Sequence, residues 1–284
     1  MKGWWYLSPL LLALGVWIYG PAVATVVLSL MDWNLTGPAA GFVGLDNFRR
    51  LIDEPEFGRA VVQTLLYALA LLPFATVVPL VLAVMLWLRP GRAGHVYRSL
   101  LFVPAMMAPV ALAVSWRFLL NPLGGLANAA LGVAGLPPVN WLGDPATALP
   151  VLVAVTAARV VAFNMLLYSA ALATLDRRTI EAARLEGARP AEVVTFVVAP
   201  QLVRTTVLLG LLSVVLAGQW SFTNVAVLTQ GGPDGVTDTI YYRVYTLAFD
   251  FFDTGAASAA SVLVLAGFAV VAGAAAVLRR RHAT

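Results

Sequence analysis

Residues 61–88 read VVQTLLYALALLPFATVVPLVLAVMLWL, 28 residues without a charged side chain, held between Arg59 and Arg89. A helix needs about 20 mostly apolar residues to cross the hydrocarbon core of a bilayer, and this run exceeds that. Working outward from it, comparable stretches lie at approximately Leu7–Met31, Ser99–Leu120, Ala148–Thr174, Val203–Leu228 and Gly255–Leu278. Backbone polar groups in lipid must be satisfied within their own segment, so these stretches are read as helices. The composition agrees: 61% of the 284 residues are hydrophobic and only 11% charged, against roughly 25% charged in soluble domains. The expected fold class is an all-α membrane protein with six transmembrane helices, forming one domain over residues 1–284. Lys2 ahead of the first apolar run resembles a signal peptide, but the run is too long for one. It carries Pro9, Trp17, Tyr19 and Pro21 with no small-x-small cleavage site after it, and is read as a retained span.

Several chemistries are excluded at once. The chain has no cysteine, so disulfides and thiolate metal sites are absent. His95 and His282 are the only histidines and both fall in predicted loops, so no metal site is expected. Lys2 is the only lysine, whereas a nucleotide-binding phosphate loop requires a lysine after its glycines. ATP hydrolysis by that route is therefore ruled out for this chain.

Charge sets the orientation, because basic residues collect on the cytoplasmic side. The N-terminus, the even-numbered loops and the C-terminus hold Lys2, Arg89, Arg92, Arg98, Arg177, Arg178, Arg184, Arg189, Arg204 and Arg279–Arg281. The odd-numbered loops hold only Arg49, Arg50, Arg59 and Arg243. Both termini are thus expected in the cytoplasm. Most acids, among them Asp46, Asp53, Glu54, Glu56, Asp144, Asp234 and Asp253, fall outside. The basic pI reflects this orientation, and no nucleic-acid partner is expected.

In the outer loops, Asp46 is a plausible N-cap for a short helix that puts Leu45, Phe48, Leu51 and Ile52 on one face. Residues 124–144 are rich in Gly and Pro and read as irregular. Residues 230–235, QGGPDG, are a strong turn signal. Trp33 and Trp141 fall at the outer boundaries, as interfacial tryptophans do, and Gln63 and Tyr67 are read as interfacial too.

Between the fourth and fifth spans lies a charged loop, residues 179–200, reading TIEAARLEGARPAEVVTFVVAP. Thr179 is expected to cap a helix carrying Glu181 in its first turn, where the helix dipole favours an acid. Gly187 permits a sharp turn, and Pro190 suits the first position of a second helix from Ala191 towards Val198, ending at Pro200. On these residues alone an ordinary amphipathic connection is an equal reading.

Glu181, Ala182, Ala183, Gly187 and Pro200 nevertheless stand at the spacing of the EAA motif, and the loop resembles that of binding-protein-dependent ABC importer permeases. Val197 replaces the usual Ile, Ala199 departs from the usual Leu, and Glu186 stands where an Asp is common. Residues 42–48 (FVGLDNF), 97–104 (YRSLLFVP) and 228–233 (LTQGGP) are similar to carbohydrate-type permeases. The resemblance implies a type I importer permease of the inner membrane that pairs with a second, homologous permease. It also implies an ABC ATPase dimer below and an extracytoplasmic solute-binding protein above. Glu181, Ala182, Ala183, Leu185, Gly187 and Ala188 would form the coupling surface for the ATPase. No cofactor is implied in this chain; ATP–Mg would bind the partner ATPase, and the cargo would be a sugar or related polyol or glycoside.

Polar groups inside spans are functional suspects by default. Arg159 falls near mid-membrane with no Asp or Glu in any predicted span. Asn164 follows on the same helix, and Gln219, Trp220, Ser221 and Asn224 lie at comparable depth on the fifth span. Amides beside an indole suit a sugar, whose hydroxyls need hydrogen bonds and whose ring can stack. Hydrogen bonding between helices is the plainer explanation of the same residues. A self-contained carrier or channel is the rival function; the coupling-type loop, the lack of buried acids and the lack of an evident internal repeat count against it.

Overall fold

The computed structural model describes residues 4–34, 36–37, 41–89 and 91–281; Lys2 and His282, which entered the charge reading, lie outside them. Among the described residues the regular elements are helices, with one isolated bridge between Met31 and Phe42. The chain groups into two units, residues 1–61 with 240–284, and residues 62–239.

The first unit contains α1 (Tyr6–Leu28), α2 (Asp46–Asp53), the opening turns of α3 (Pro55–Leu88), α10 (Ile240–Tyr245) and α11 (Thr254–Arg281). The apolar side chains of α1 are exposed, Tyr6 at 87% and Trp17 at 78%, as befits a helix with lipid on several sides. A π turn at Gly15–Tyr19 precedes Pro21. Its wider hydrogen bonding accommodates a proline that lacks an N–H and crowds the carbonyl four residues back.

Leu51, Phe57, Ile240 and Leu247 pack against Ala256, Ala257, Ala259 and Ala260 on α11. The expected hydrophobic face of α2 is corrected here. Asp46 is the first helical residue rather than a side-chain cap, Leu45 and Ile52 are exposed, and Asn47 is fully buried. Asn47 Nδ2 donates to the carbonyls of Ser29 and Met31, each at 2.9 Å. Those carbonyls lie just past the end of α1 and have no helical partner of their own, so a polar side chain is drawn inward. Gly255 lets α11 approach the same point; a Cβ there would sit 2.4 Å from the Met31 carbonyl oxygen.

Arg243 is buried and paired with both Glu54 and Glu56. Burial works against its charge, but the hydrogen bonds and charges of Glu56 and Glu54 outweigh that and hold it above the ordinary guanidinium value. Arg50 reaches Asp253 at 3.4 Å nearby.

The second unit holds the rest of α3, α4 (Arg92–Met106), α5 (Pro109–Leu119), α6 (Leu126–Val133), α7 (Pro145–Ala173), α8 (Arg177–Leu185) and α9 (Pro190–Leu228). The third apolar stretch is not one straight span: α4 and α5 meet at 99°. Pro109 forces the preceding Ala108 out of the helical region, to ψ 136°, because its ring clashes with a helical predecessor. Residues 124–144 are less irregular than expected, since Leu126–Val133 forms a short helix, favoured by its Leu and Ala residues. Asn128 then ties the following loop down, bonding the Val139 carbonyl and N–H at 3.0 and 3.1 Å and accepting from Trp141 Nε1 at 2.9 Å. Asp144 caps α7 by accepting from the Ala146 N–H at 2.8 Å, with Pro145 at the first position. Residues 230–235 turn as expected, with Gln230, Gly231, Asp234 and Gly235 all at positive φ.

Candidate functional sites

Two places in the second unit bring the predicted functional residues together. The first is a cavity of about 170 Å³ between α5, α7 and α9, lined by Thr156, Arg159, Gln219, Trp220, Thr223 and Asn224 beside apolar groups. Arg159 is the central residue of the 29-residue α7, about 21 Å from either end at 1.5 Å per residue. A charge at such a depth costs about 2.5–3.5 kcal/mol on insertion scales. Among the described residues it has no ion-pair partner.

Behind the cavity wall a buried hydrogen-bond chain fixes Asn224. Thr156 Oγ1 donates to the Leu152 carbonyl at 2.9 Å and accepts from Asn224 Nδ2 at 2.6 Å. With its single proton committed, the hydroxyl accepts from Tyr67 OH as well, in a close contact. Tyr67 is 1% exposed, which overturns its reading as an interfacial residue. The helix starts at Pro55 rather than near Val61, so Tyr67 lies three turns inside it.

The structure does not bring all the expected polar residues to this cavity. Asn164 is buried on α7 and donates to the Ala75 carbonyl at 2.7 Å and to Ser213 Oγ at 3.2 Å. Pro79 has no N–H to offer that carbonyl four residues back, so Asn164 satisfies a group orphaned by the kink in α3. Ser221 is fully buried and donates to the Gly218 carbonyl at 2.7 Å. Thr156 and Thr223, which line the cavity, were missed by sequence reasoning. Threonine in a span ordinarily bonds its own helix; the available signal was that Thr156 is three residues from Arg159 on one face.

The second place is the loop after α7. Asp176, not Thr179, caps α8, accepting from the Arg178 N–H at 2.9 Å; the helix begins three residues earlier than expected. It ends in a Schellman turn. Gly187 takes φ +86°, its N–H bonds the Arg184 carbonyl, and the Ala188 N–H bonds the Ala183 carbonyl, each at 3.1 Å. Glu192 accepts from the Arg189 N–H at 2.6 Å, opening α9 at Pro190.

Pro200 does not end this second helix. A π turn at Val193–Val198 precedes it, as at Pro21, and the helix runs unbroken from Pro190 to Leu228. Ile180, Val193 and Val198 anchor the hairpin in a core shared with Met165, Tyr168 and Leu202, with Ala183 and Ala188 packed against it. Glu181, Ala182, Leu185 and Gly187 point away from it, Leu185 at 89% exposure. Beside the hairpin a hollow of about 570 Å³ is lined by Trp87, Leu88, Arg98, Glu181 and Arg184, among others.

With this geometry in hand, the comparison with known proteins is decisive. Residues 52–283 match the binding-protein-dependent transport system inner membrane component family. The chain belongs to that family. It is 31% identical to a probable ABC transporter permease, y4oQ, of Sinorhizobium fredii over 263 residues, covering 90% of this chain and 83% of that one. The sn-glycerol-3-phosphate transport system permease UgpA of Pectobacterium atrosepticum is 29% identical, over 90% of this chain and 86% of its own. The lactose transport system permease LacF of Rhizobium radiobacter is 28% identical, over 93% and 90%. In fold, the chain is similar to a chain in the crystal structure of a bacterial ABC transporter involved in the import of the acidic polysaccharide alginate. That likeness has a TM-score of 0.86 at 22% identity, covering 98% of this chain and 94% of that one.

The protein is therefore a multi-pass inner-membrane ABC transporter permease, a transport subunit rather than an enzyme. Membership in this family sets aside the self-contained carrier.

Proposed function

We propose that this permease forms half of the membrane pathway of an importer for a sugar, polyol or glycoside, crossing the membrane six times with both termini in the cytoplasm. The bent pair α4–α5 and the apolar part of α11 would complete the spans. A second, homologous permease would supply the other half, an ABC ATPase dimer the ATP–Mg chemistry, and an extracytoplasmic binding protein the solute. The observation that carries the reading is the hairpin from Arg177 to Val198: a glycine-turned helical knob, rooted in the core by Ile180 and Val193, presenting Glu181, Ala182 and Leu185 outward. Ala183 and Ala188 hold it close to the spans, and Gly187 sets the turn.

In the cavity, Gln219 and Asn224 offer amides, Thr223 a hydroxyl and Trp220 an indole face, the mixture a hydroxylated ring requires. Arg159 belongs to the same wall. Asn164 and Ser221 support that pathway by bracing its helices. A mild-detergent pull-down of the tagged chain from its own membranes tests the assembly. A second permease and an ATPase should co-purify, with Glu181 and Leu185 crosslinking to the ATPase. A chain that purifies alone and still moves solute down an ion gradient would overturn it.

A further inference from the structure

The mid-span cavity carries a positive charge that its own walls do not answer. Arg159 is half-buried and lines the cavity at the midpoint of α7. Its neighbours there are neutral: Thr156, Gln219, Trp220, Thr223 and Asn224. The helices forming the cavity add no acid at this depth. α5 and α7 contain no Asp or Glu, and the only one in α9 is Glu192, at its far end. The other cation nearby, Arg117 on α5, is turned to the Val227 carbonyl at 3.4 Å.

The local hydrogen bonding does not neutralise the site either. Asn224 spends an Nδ2 proton on Thr156, and the Thr156 hydroxyl proton goes to the Leu152 carbonyl. What the lining leaves for an occupant is the guanidinium of Arg159 and, beside the Thr223 hydroxyl, the amide oxygens of Gln219 and Asn224. The first prefers an anion and the amide oxygens a hydroxyl donor.

Resting on the reading of this cavity as the solute's path, we infer that the solute is an anionic polyol or sugar, bearing a carboxylate or a phosphate ester that passes against Arg159. The charge costs free energy at this depth in the empty transporter. It is compensated when an anion enters, so a charged solute is selected over its neutral analogue here as well as at the binding protein.

The absence of native cysteine gives a direct assay. A Gln219→Cys variant, assembled with its partner subunits, places one thiol on the cavity wall beside an intact Arg159. Its rates of modification by a negatively and a positively charged methanethiosulfonate reagent report the local field. The anionic reagent should react about tenfold faster than the cationic one, the least that a one-sign cleft concentrates counter-ions. Adding Arg159→Gln should remove the preference, and Arg159→Lys should keep it, separating charge from any loss of packing. Equal rates with Arg159 present, or a preference that survives Arg159→Gln, would overturn the inference, the first meaning that a partner carboxylate already neutralises the site. Either result in a complex that still contains the second permease and the ATPase leaves the importer reading standing.

Discussion

Thr156 is the residue on which the cavity wall turns, because three helices meet at one hydroxyl. Its oxygen holds Tyr67 from α3 and Asn224 from α9 while its proton stays on α7. Tyr67→Phe should remove one of these bonds and cost about 1 kcal/mol, read as a lower melting temperature in detergent. The same variant should weaken solute affinity through a looser Asn224, with ATP hydrolysis by the assembled transporter unchanged. Asn164→Leu acts differently: it leaves the Ala75 carbonyl buried without a donor, at a cost of about 1–3 kcal/mol, and should lower stability without a specific effect on affinity. Equal effects of the two on affinity would contradict this division. At this scale the sequence was only partly legible. A polar residue in a span announces itself, but whether it serves the solute or a neighbouring carbonyl depends on where prolines such as Pro79 leave acceptors open, and that requires the packed helices.

Among the elements, the hairpin was the most legible and the proline breaks the least. Asp, Gly and Pro carry strong local preferences, so the turn at Gly187 and the start at Pro190 follow from their chemistry. Pro200 was misread as a stop because the π turn that absorbs it has no signature in a run of valines. Pro109, by contrast, breaks a stretch that hydropathy alone presents as one span. Gly187 has open space around it but a left-handed backbone, so substitution is penalised by conformation and not by collision. Gly187→Val should cost about 1–2 kcal/mol locally and uncouple ATP hydrolysis from uptake in a correctly inserted protein. Gly187→Asn should be milder, since Asn tolerates that conformation. Wild-type uptake by the valine variant would remove the turn from the coupling argument.

For the molecule as a whole, the membrane character and the family-specific loop could be read along the chain, whereas the ion-pair group around Arg243 could not, since Glu54 and Glu56 lie almost two hundred residues away from it in sequence. Hydropathy treats all three as exposed loop charges; they are brought together by chain ends that pack in one unit. Because Arg243 is held above the ordinary guanidinium value, the stability gained from its charge is full below that ordinary value and is lost only as pH rises through the raised one. Arg243→Met would leave two partly exposed carboxylates without their shared cation, and should destabilise the first unit by about 1 kcal/mol, since water screens what remains, measured by thermal unfolding in detergent. A melting temperature like that of the unaltered protein would show the pair to be energetically idle.

The continuity of α9 past Pro200 has a mechanical meaning. A helix of 39 residues is a beam, and the distance along it from Pro190 to Asn224 is about 51 Å at 1.5 Å per residue. Pivoted near the cavity, such a beam carries its hairpin end through about 4 Å for a tilt of only about 5°. The long arm trades travel for force: a modest stroke at the hairpin becomes a small, strong rotation of the wall bearing Gln219 and Asn224. Stiffness between the two ends then sets the efficiency of transmission, and the π turn at Val193–Val198 is where that stiffness would fail first.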